Sequence, residues 1–152
     1  MTWTVVEDVT PKKAARAYGE IGQPVFPCYS RGERAKSPLT KRGLHDATTA
    51  SGQIKTWWKR WPEAAIGLPT GVNFDVLDVD VKGETNGAVH LSTLQRLGLL
   101  DGCKFVVATP SGGWHLYFTA SGIKNKSNAN LGLDVRGLGG YVLSPGSVLD
   151  TG

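Results

Sequence analysis

The stretch Phe74-Asp-Val-Leu-Asp-Val-Asp-Val81 is the clearest strand in this sequence of 152 residues. Side chains alternate across a β-strand, so Leu77 and Val79 share one face while Asp78 and Asp80 share the other. Carboxylates two residues apart in a strand are separated by roughly 6–7 Å at the backbone and can lean toward one or two divalent cations. A solvated strand face produces the same pattern, so this motif alone leaves metal binding open.

A second motif, Ser111-Gly-Gly-Trp-His115, lies between two apolar segments that we expect to form a hairpin of strands over 105–108 and 114–118. Paired glycines allow close backbone approach and expose amide groups suited to a phosphate. His115 shares a strand face with Tyr117, and a histidine there could donate to a phosphate or a sugar. Tyr117 is a candidate for sugar selection. An ordinary surface hairpin with an exposed histidine explains the motif equally well.

A third motif, Leu133-Asp-Val-Arg-Gly137, places Asp134 and Arg136 on one strand face by the same alternation. Asp134 could be a third carboxylate ligand, and Arg136 could neutralise a phosphate or pair with a carboxylate. Three carboxylates, an imidazole and a guanidinium on candidate strands make a two-metal site for phosphoryl transfer plausible. A basic loop offers candidate cations for a triphosphate, although such loops are often only solvated; these are Lys36, Lys41 and Arg42.

The rest of the chain mixes helices and strands without strict alternation, which favours an α+β fold with helices packed on a sheet. We expect helices over 10–18, 51–61 and 86–97, capped by Thr10, Ser51 and Asn86 and, for the last, ended by Gly98. Further strands are expected over 24–28, 64–68, 131–136 and 141–143. The prolines of 24–28 indicate an edge strand, and the segment 121–130 is polar and basic.

One helical face carries Ile54, Trp57, Trp58 and Trp61 at spacings of three and four residues. Core packing is the favoured interpretation of these tryptophans, and base stacking is the alternative.

Composition limits the class of protein. Hydrophobic residues make up 40%, enough for an ordinary core, and we expect a single domain over 1–152. An absent signal peptide and the lack of a membrane-spanning apolar run favour a cytoplasmic protein without a membrane partner. Cys28 and Cys103 are too few for a disulfide framework or a zinc site. The net charge of +4 allows a polyanionic partner such as a nucleic acid.

The motifs in their order resemble the primase-polymerase domain of the archaeo-eukaryotic primase superfamily. The resemblance runs from about 25 to 147. Its elements are Lys36-Ser-Pro38, Trp57-Trp58, Trp61-Pro62, Asp78-Val-Asp80, Ser111-Gly-Gly-Trp-His115, Leu133-Asp-Val-Arg-Gly137 and Gly139-Gly-Tyr-Val-Leu-Ser-Pro-Gly-Ser147.

The resemblance implies an α+β catalytic core with a modified RRM-like, mixed or antiparallel sheet and packed helices. It implies that Asp78, Asp80 and Asp134 bind Mg²⁺ or Mn²⁺ in a two-metal site without zinc. By the same resemblance His115, with Ser111 nearby, contacts the incoming nucleotide. The further nucleotide contacts that it implies are Arg136, Lys36 and Ser147.

The implied activity is template-directed, metal-dependent nucleotidyl transfer from an NTP or dNTP to a 3′-hydroxyl. The implied partners are a single-stranded DNA template and a primer. Such domains often begin a longer phage or plasmid replication protein with a helicase region. Since the sequence stops soon after a strand, we expect it to be the N-terminal fragment of one.

Three other functions use similar residues. Metal-dependent glycosyltransferases carry Asp-x-Asp after a strand, but they leave Asp134 and the Ser111–His115 motif unexplained. A metal-dependent nuclease would need the same carboxylates and would degrade DNA. A non-catalytic nucleic-acid-binding module would need no metal and would carry stacking aromatics on its open sheet face.

Overall fold

The computed structural model describes residues 9–145 together with 147 and 149. The first eight residues and Gly146 of the last motif lie outside this range. The described helices are α1 (Pro11–Glu20), α2 (Ser51–Arg60) and α3 (Leu91–Arg96). The described strands are β1 (Phe26–Cys28), β2 (Ala65–Pro69), β3 (Phe74–Val79), β4 (Val81–Lys82), β5 (Thr85–Asn86), β6 (Phe105–Ala108), β7 (Trp114–Thr119), β8 (Lys126–Asn128), β9 (Leu133–Arg136) and β10 (Tyr141–Leu143). The α+β class expected from the sequence is confirmed.

The chain packs as two compact units, and the first contains the described residues up to 68 and from 143 onward. Its helices α1 and α2 pack together, and α2 buries Ile54 and Trp58. Thr10 caps α1 by accepting a hydrogen bond from the Lys13 amide at 3.3 Å. Ser51 is not a cap, because α2 begins at Ser51 itself and the N-cap position holds Ala50.

A three-stranded sheet has the order β1-β2-β10. Strand β1 runs antiparallel to β2, with Phe26 opposite Gly67. The ring of Phe26 occupies the space that a β-carbon on Gly67 would need. Strand β1 lies at an edge of the sheet, as its prolines predict.

The second unit spans 69–142 and is built on a five-stranded antiparallel sheet in the order β6-β7-β3-β9-β8. Strand β3, which contains Asp78, is therefore central, with β7 on one side and β9 on the other. The register places Asp78 opposite His115 of β7 and opposite Asp134 of β9. Because cross-strand partners point to the same face, these three side chains share one face of the sheet.

Strand β3 ends at Val79, one residue before the second aspartate of the motif. Asp80 nevertheless keeps its backbone bonded: its amide donates to Gly132 at 2.8 Å, and its carbonyl accepts from Gly87 at 2.8 Å. A β-carbon on Gly87 would meet the carbonyl oxygen of Gly132. The close approach of these two glycines replaces the regular ladder at this point.

The polar segment 121–130, for which the sequence predicted no strand, contains β8, which pairs with β9. The helix expected over 86–97 is a 3₁₀ turn at Gly87–His90 followed by α3, although Asn86 does cap it through the Ala88 amide. Gly98 ends the segment with a φ of 73°.

No helix among the described residues is both long enough and apolar enough to cross a membrane.

Candidate active site

The site is built around Asp78, the central residue of its row in the sheet. One carboxylate oxygen lies 3.4 Å from Nε2 of His115, and the other lies 3.4 Å from the guanidinium of Arg136. The side chain of Asp78 is 14% exposed. A carboxylate this buried needs partners, and the two neighbouring strands each supply one.

Asp134 accepts hydrogen bonds from β8, the strand that lies on the far side of β9 from β3. Its Oδ1 accepts a hydrogen bond from the Ser127 hydroxyl at 2.6 Å and another from the Asn128 amide at 3.1 Å. These bonds occupy one carboxylate oxygen and leave Oδ2 facing Arg136 at 3.2 Å. Sequence reasoning missed Ser127, because the short polar segment that holds it carries no hydrophobic pattern typical of a strand.

Arg136 links two of the carboxylates. The same terminal nitrogen lies 3.4 Å from Asp78 and 3.2 Å from Asp134. One positive charge is thus shared between two negative charges. The sequence left open whether Arg136 faces a phosphate or a carboxylate, and here it faces carboxylates.

The three carboxylates come together. Ligand oxygens of Asp78, Asp80 and Asp134 all lie within 4.8 Å of one another, and each residue is half-buried. Carboxylate oxygens are hard ligands of the kind that Mg²⁺ and Mn²⁺ prefer. The donor set therefore fits one or two divalent ions.

The pKa values of Asp80 and Asp78 shift in opposite directions. Burial, followed by the negative charges of Asp78 and Asp134, raises the pKa of Asp80 above its ordinary value. Burial also raises the pKa of Asp78, but the hydrogen bond and charge of His115, together with Arg136, outweigh it and lower the pKa. Negative charge at this end of the cluster is incompletely compensated by the protein's own cations, which is the electrostatic condition that favours a bound cation.

Ser111 lies in the turn between β6 and β7. Its hydroxyl is 3.3 Å from that of Thr109, which also accepts a hydrogen bond from the Gly113 amide at 3.1 Å. A β-carbon on Gly113 would meet the carbonyl oxygen of Val79, so this turn packs against the end of β3. Ser111 is exposed and is not among the residues that contact the carboxylates.

Lys36 and Ser147 belong to the first unit, and the three carboxylates belong to the second. Lys36 has a φ of 74°, the one positive value among non-glycine residues in the described part of the chain. Ser147 lies 2.9 Å from Ser144, hydroxyl to hydroxyl. Of the other loop cations, Arg42 forms an ion pair with Asp46 at 2.8 Å.

Tyr117 shares the face of His115 but is 3% exposed. Its ring stacks on Phe105 at 4.3 Å and lies 5.2 Å from Phe74. A ring packed in this way presents almost no surface to a ligand, so the structure lends no support to a role of Tyr117 in sugar selection. Phe105, 52% exposed, is the accessible aromatic residue of this stack.

The model of a family described as "Bifunctional DNA primase/polymerase, N-terminal" matches residues 14–152. No curated protein matches the chain.

Proposed function

Because the chain belongs to the family of bifunctional DNA primase/polymerases, we propose that the cluster of Asp78, Asp80 and Asp134 is the catalytic centre of a template-directed nucleotidyltransferase. The observation that carries the proposal is that Asp134, distant along the chain from Asp78 and Asp80, meets them with ligand oxygens all within 4.8 Å of one another. The mixed α+β fold with antiparallel sheets agrees with the family. The substrates are an NTP or dNTP, a primer and a single-stranded DNA template.

Asp78, Asp80 and Asp134 would hold the divalent ions, Mg²⁺ or Mn²⁺. When bound, such ions lower the pKa of the attacking 3′-hydroxyl and neutralise charge on the triphosphate and the leaving pyrophosphate. The carboxylates contribute position and charge rather than covalent chemistry. Arg136 and Ser127 fix the orientation of Asp134, and His115 fixes that of Asp78.

His115 has a second role in this proposal. Its imidazole is 17% exposed and lies beside the carboxylates, where it can donate to a phosphate oxygen of the incoming nucleotide. Ser111 in the adjoining turn, Arg136, Lys36 and Ser147 remain proposed nucleotide contacts. The positive φ of Lys36 supports its inclusion, because backbone strain at a non-glycine residue is concentrated at functional sites.

The test is primer extension on a single-stranded DNA template with Mg²⁺ or Mn²⁺ and either nucleotide type. We expect the chain to extend the primer and the paired change Asp78→Asn with Asp80→Asn to abolish extension. Glu84→Gln, an exposed acid outside the cluster, is the matched control and should leave extension unchanged. Full extension by the double variant would refute the site, and degradation of the primer in place of extension would identify a nuclease.

A further inference from the structure

The first unit contains an open groove of about 710 Å³ along α2. Trp57 and Trp61 line it and are half-buried, whereas Arg60 and Lys41 line it and are exposed. We call this feature the tryptophan groove. It lies entirely within residues 39–61.

The helix explains why two indoles face the groove. Ile54 and Trp58 fill the core side of α2, and the indole of Trp58 donates to the carbonyl of Ala64 at 3.1 Å. Trp57 and Trp61 are one turn apart, with the Trp61 amide donating to the Trp57 carbonyl at 2.8 Å. The core therefore leaves the rings of Trp57 and of Trp61, the C-cap residue of α2, partly exposed, and both line the same groove.

The charge of the groove is positive. The guanidinium of Arg60 lies 4.7 Å from the centre of the Trp61 ring, and Lys41 adds a second cation. The acidic residue that lines the groove, Asp46, already accepts hydrogen bonds from the amide and the guanidinium of Arg42 at 2.8 Å. Paired indoles flanked by cations match a ligand with flat apolar faces and a negatively charged backbone.

We propose that the tryptophan groove binds single-stranded DNA, with bases stacked on Trp57 and Trp61 and backbone phosphates at Lys41 and Arg60. The choice of DNA rests on the proposed function. The choice of a nucleic acid over a proline-rich peptide rests on the cations, which an uncharged peptide would not need. Stacking explains the indoles without a sequence preference, because every base has a π-face.

The test compares two labelled oligonucleotides of equal length, an oligodeoxythymidylate and an abasic strand, by fluorescence anisotropy without metal or nucleotide. We expect tighter binding of the thymidylate strand. Trp61→Ala should weaken that binding by about tenfold and leave binding of the abasic strand unchanged. Arg60→Glu should weaken binding of both strands and reduce the salt dependence of binding.

Lys59→Glu is the matched control, because Lys59 is exposed on the same helix, lies outside the groove and undergoes the same change of charge. Circular dichroism checks that each variant is folded, and Trp61→Phe, which keeps a ring, should recover most of the binding if Trp61→Ala is unstable. Equal losses for Arg60→Glu and Lys59→Glu would overturn the proposal. Equal affinity for both strands, or no binding to either, would also overturn it.

The proposal for the tryptophan groove and the proposal for the carboxylate cluster can be refuted independently of each other. The chain with both Asp78→Asn and Asp80→Asn should bind the thymidylate strand as the unaltered chain does, since binding is measured without metal. Loss of extension in Arg60→Glu together with intact oligonucleotide binding would contradict the groove and not the cluster.

Discussion

Asp78 and Asp134 are direct partners across β3 and β9, so two carboxylates occupy the same row of an antiparallel sheet. Like charges placed directly opposite each other destabilise a sheet. Here Arg136 lies within 3.4 Å of one and 3.2 Å of the other and compensates part of the repulsion. In the part of the chain that the structure describes, no cation forms an ion pair with the third carboxylate, Asp80. This asymmetry leads to separate expectations for each aspartate.

Asp80→Asn should stabilise the metal-free chain at neutral pH. The pKa of Asp80 is raised by burial and by its acidic neighbours, so its contribution to stability is full below the unfolded-state pKa and is lost as pH rises through the folded-state pKa. Removing the charge should raise the melting temperature on the order of 2 °C and weaken Mn²⁺ binding. Thermal unfolding with and without Mn²⁺ measures both effects, and a lower metal-free melting temperature would contradict the first.

Asp78→Asn should do the reverse. The pKa of Asp78 is lowered because His115 and Arg136 outweigh the effect of burial, so its contribution to stability is present above the unfolded-state pKa and is lost as pH falls through the folded-state pKa. The variant should therefore be less stable at neutral pH, and its difference from the unaltered chain should shrink in acid. An identical difference at pH 3 and pH 7 would show that the effect is one of shape and not of charge.

Arg136→Ala should lower the melting temperature of the metal-free chain and enlarge the increase that Mn²⁺ produces. The guanidinium and a bound cation compensate the same negative charge, so a bound cation stabilises the fold more when the guanidinium is absent. Arg96→Ala, an exposed arginine of α3, is the control. An equal response to Mn²⁺ in both variants would show that Arg136 does not share the charge of the cluster.

Ser127→Ala should slow extension several-fold, because Asp134 loses the 2.6 Å hydrogen bond that helps to fix its orientation. Affinity for DNA should stay the same. Rescue by Ser127→Thr, which keeps the hydroxyl, together with a shifted Mn²⁺ requirement in Ser127→Ala, would separate positioning from a structural defect. Lys126→Ala, next to it in β8, provides the comparison, and equal rates for Ser127→Ala and the unaltered chain would exclude the role.

The two thiols should differ sharply in reactivity. Cys28 is 0% exposed, and burial raises its pKa to about 12, whereas Cys103 is only half-buried. A thiol with that pKa carries almost no thiolate at pH 8. An alkylating reagent should modify one thiol in the native chain, two in urea and none in native Cys103→Ser; rapid labelling of the last would disprove the burial of Cys28.

Local sequence signals predicted strands well where β-branched and aromatic residues stand between clear turns. The bounds of β6 and β10 match the expectation. Alternation predicts which residues of 133–136 share a face, and the pairing of β9 with β3 then brings Asp134 beside Asp78. The polar strand β8 could not be found in this way, because its register is set by hydrogen bonds to β9 and not by an apolar pattern. Ser127 was missed for the same reason.

Tertiary contacts account for the other differences between the expectations from the sequence and the structure. Alternation predicts which face Asp80 shares but not that β3 stops before it, since the stop depends on Gly87 and Gly132 meeting at its backbone. The helical spacing of the tryptophans is correct, and core packing is confirmed for Trp58. The burial of Trp57 and Trp61 depends on the path of the neighbouring loop. The helical pattern of the sequence does not predict that path.

The backbone contacts around Asp80 also limit how this domain can be altered. A methyl group on Gly113 would strike the Val79 carbonyl, and one on Gly87 would strike that of Gly132. Mutant libraries meant to change nucleotide choice should therefore keep these two glycines and diversify positions such as Phe105 and Ser111, which are exposed. Loss of activity at either glycine would report a displaced chain rather than a missing chemical group.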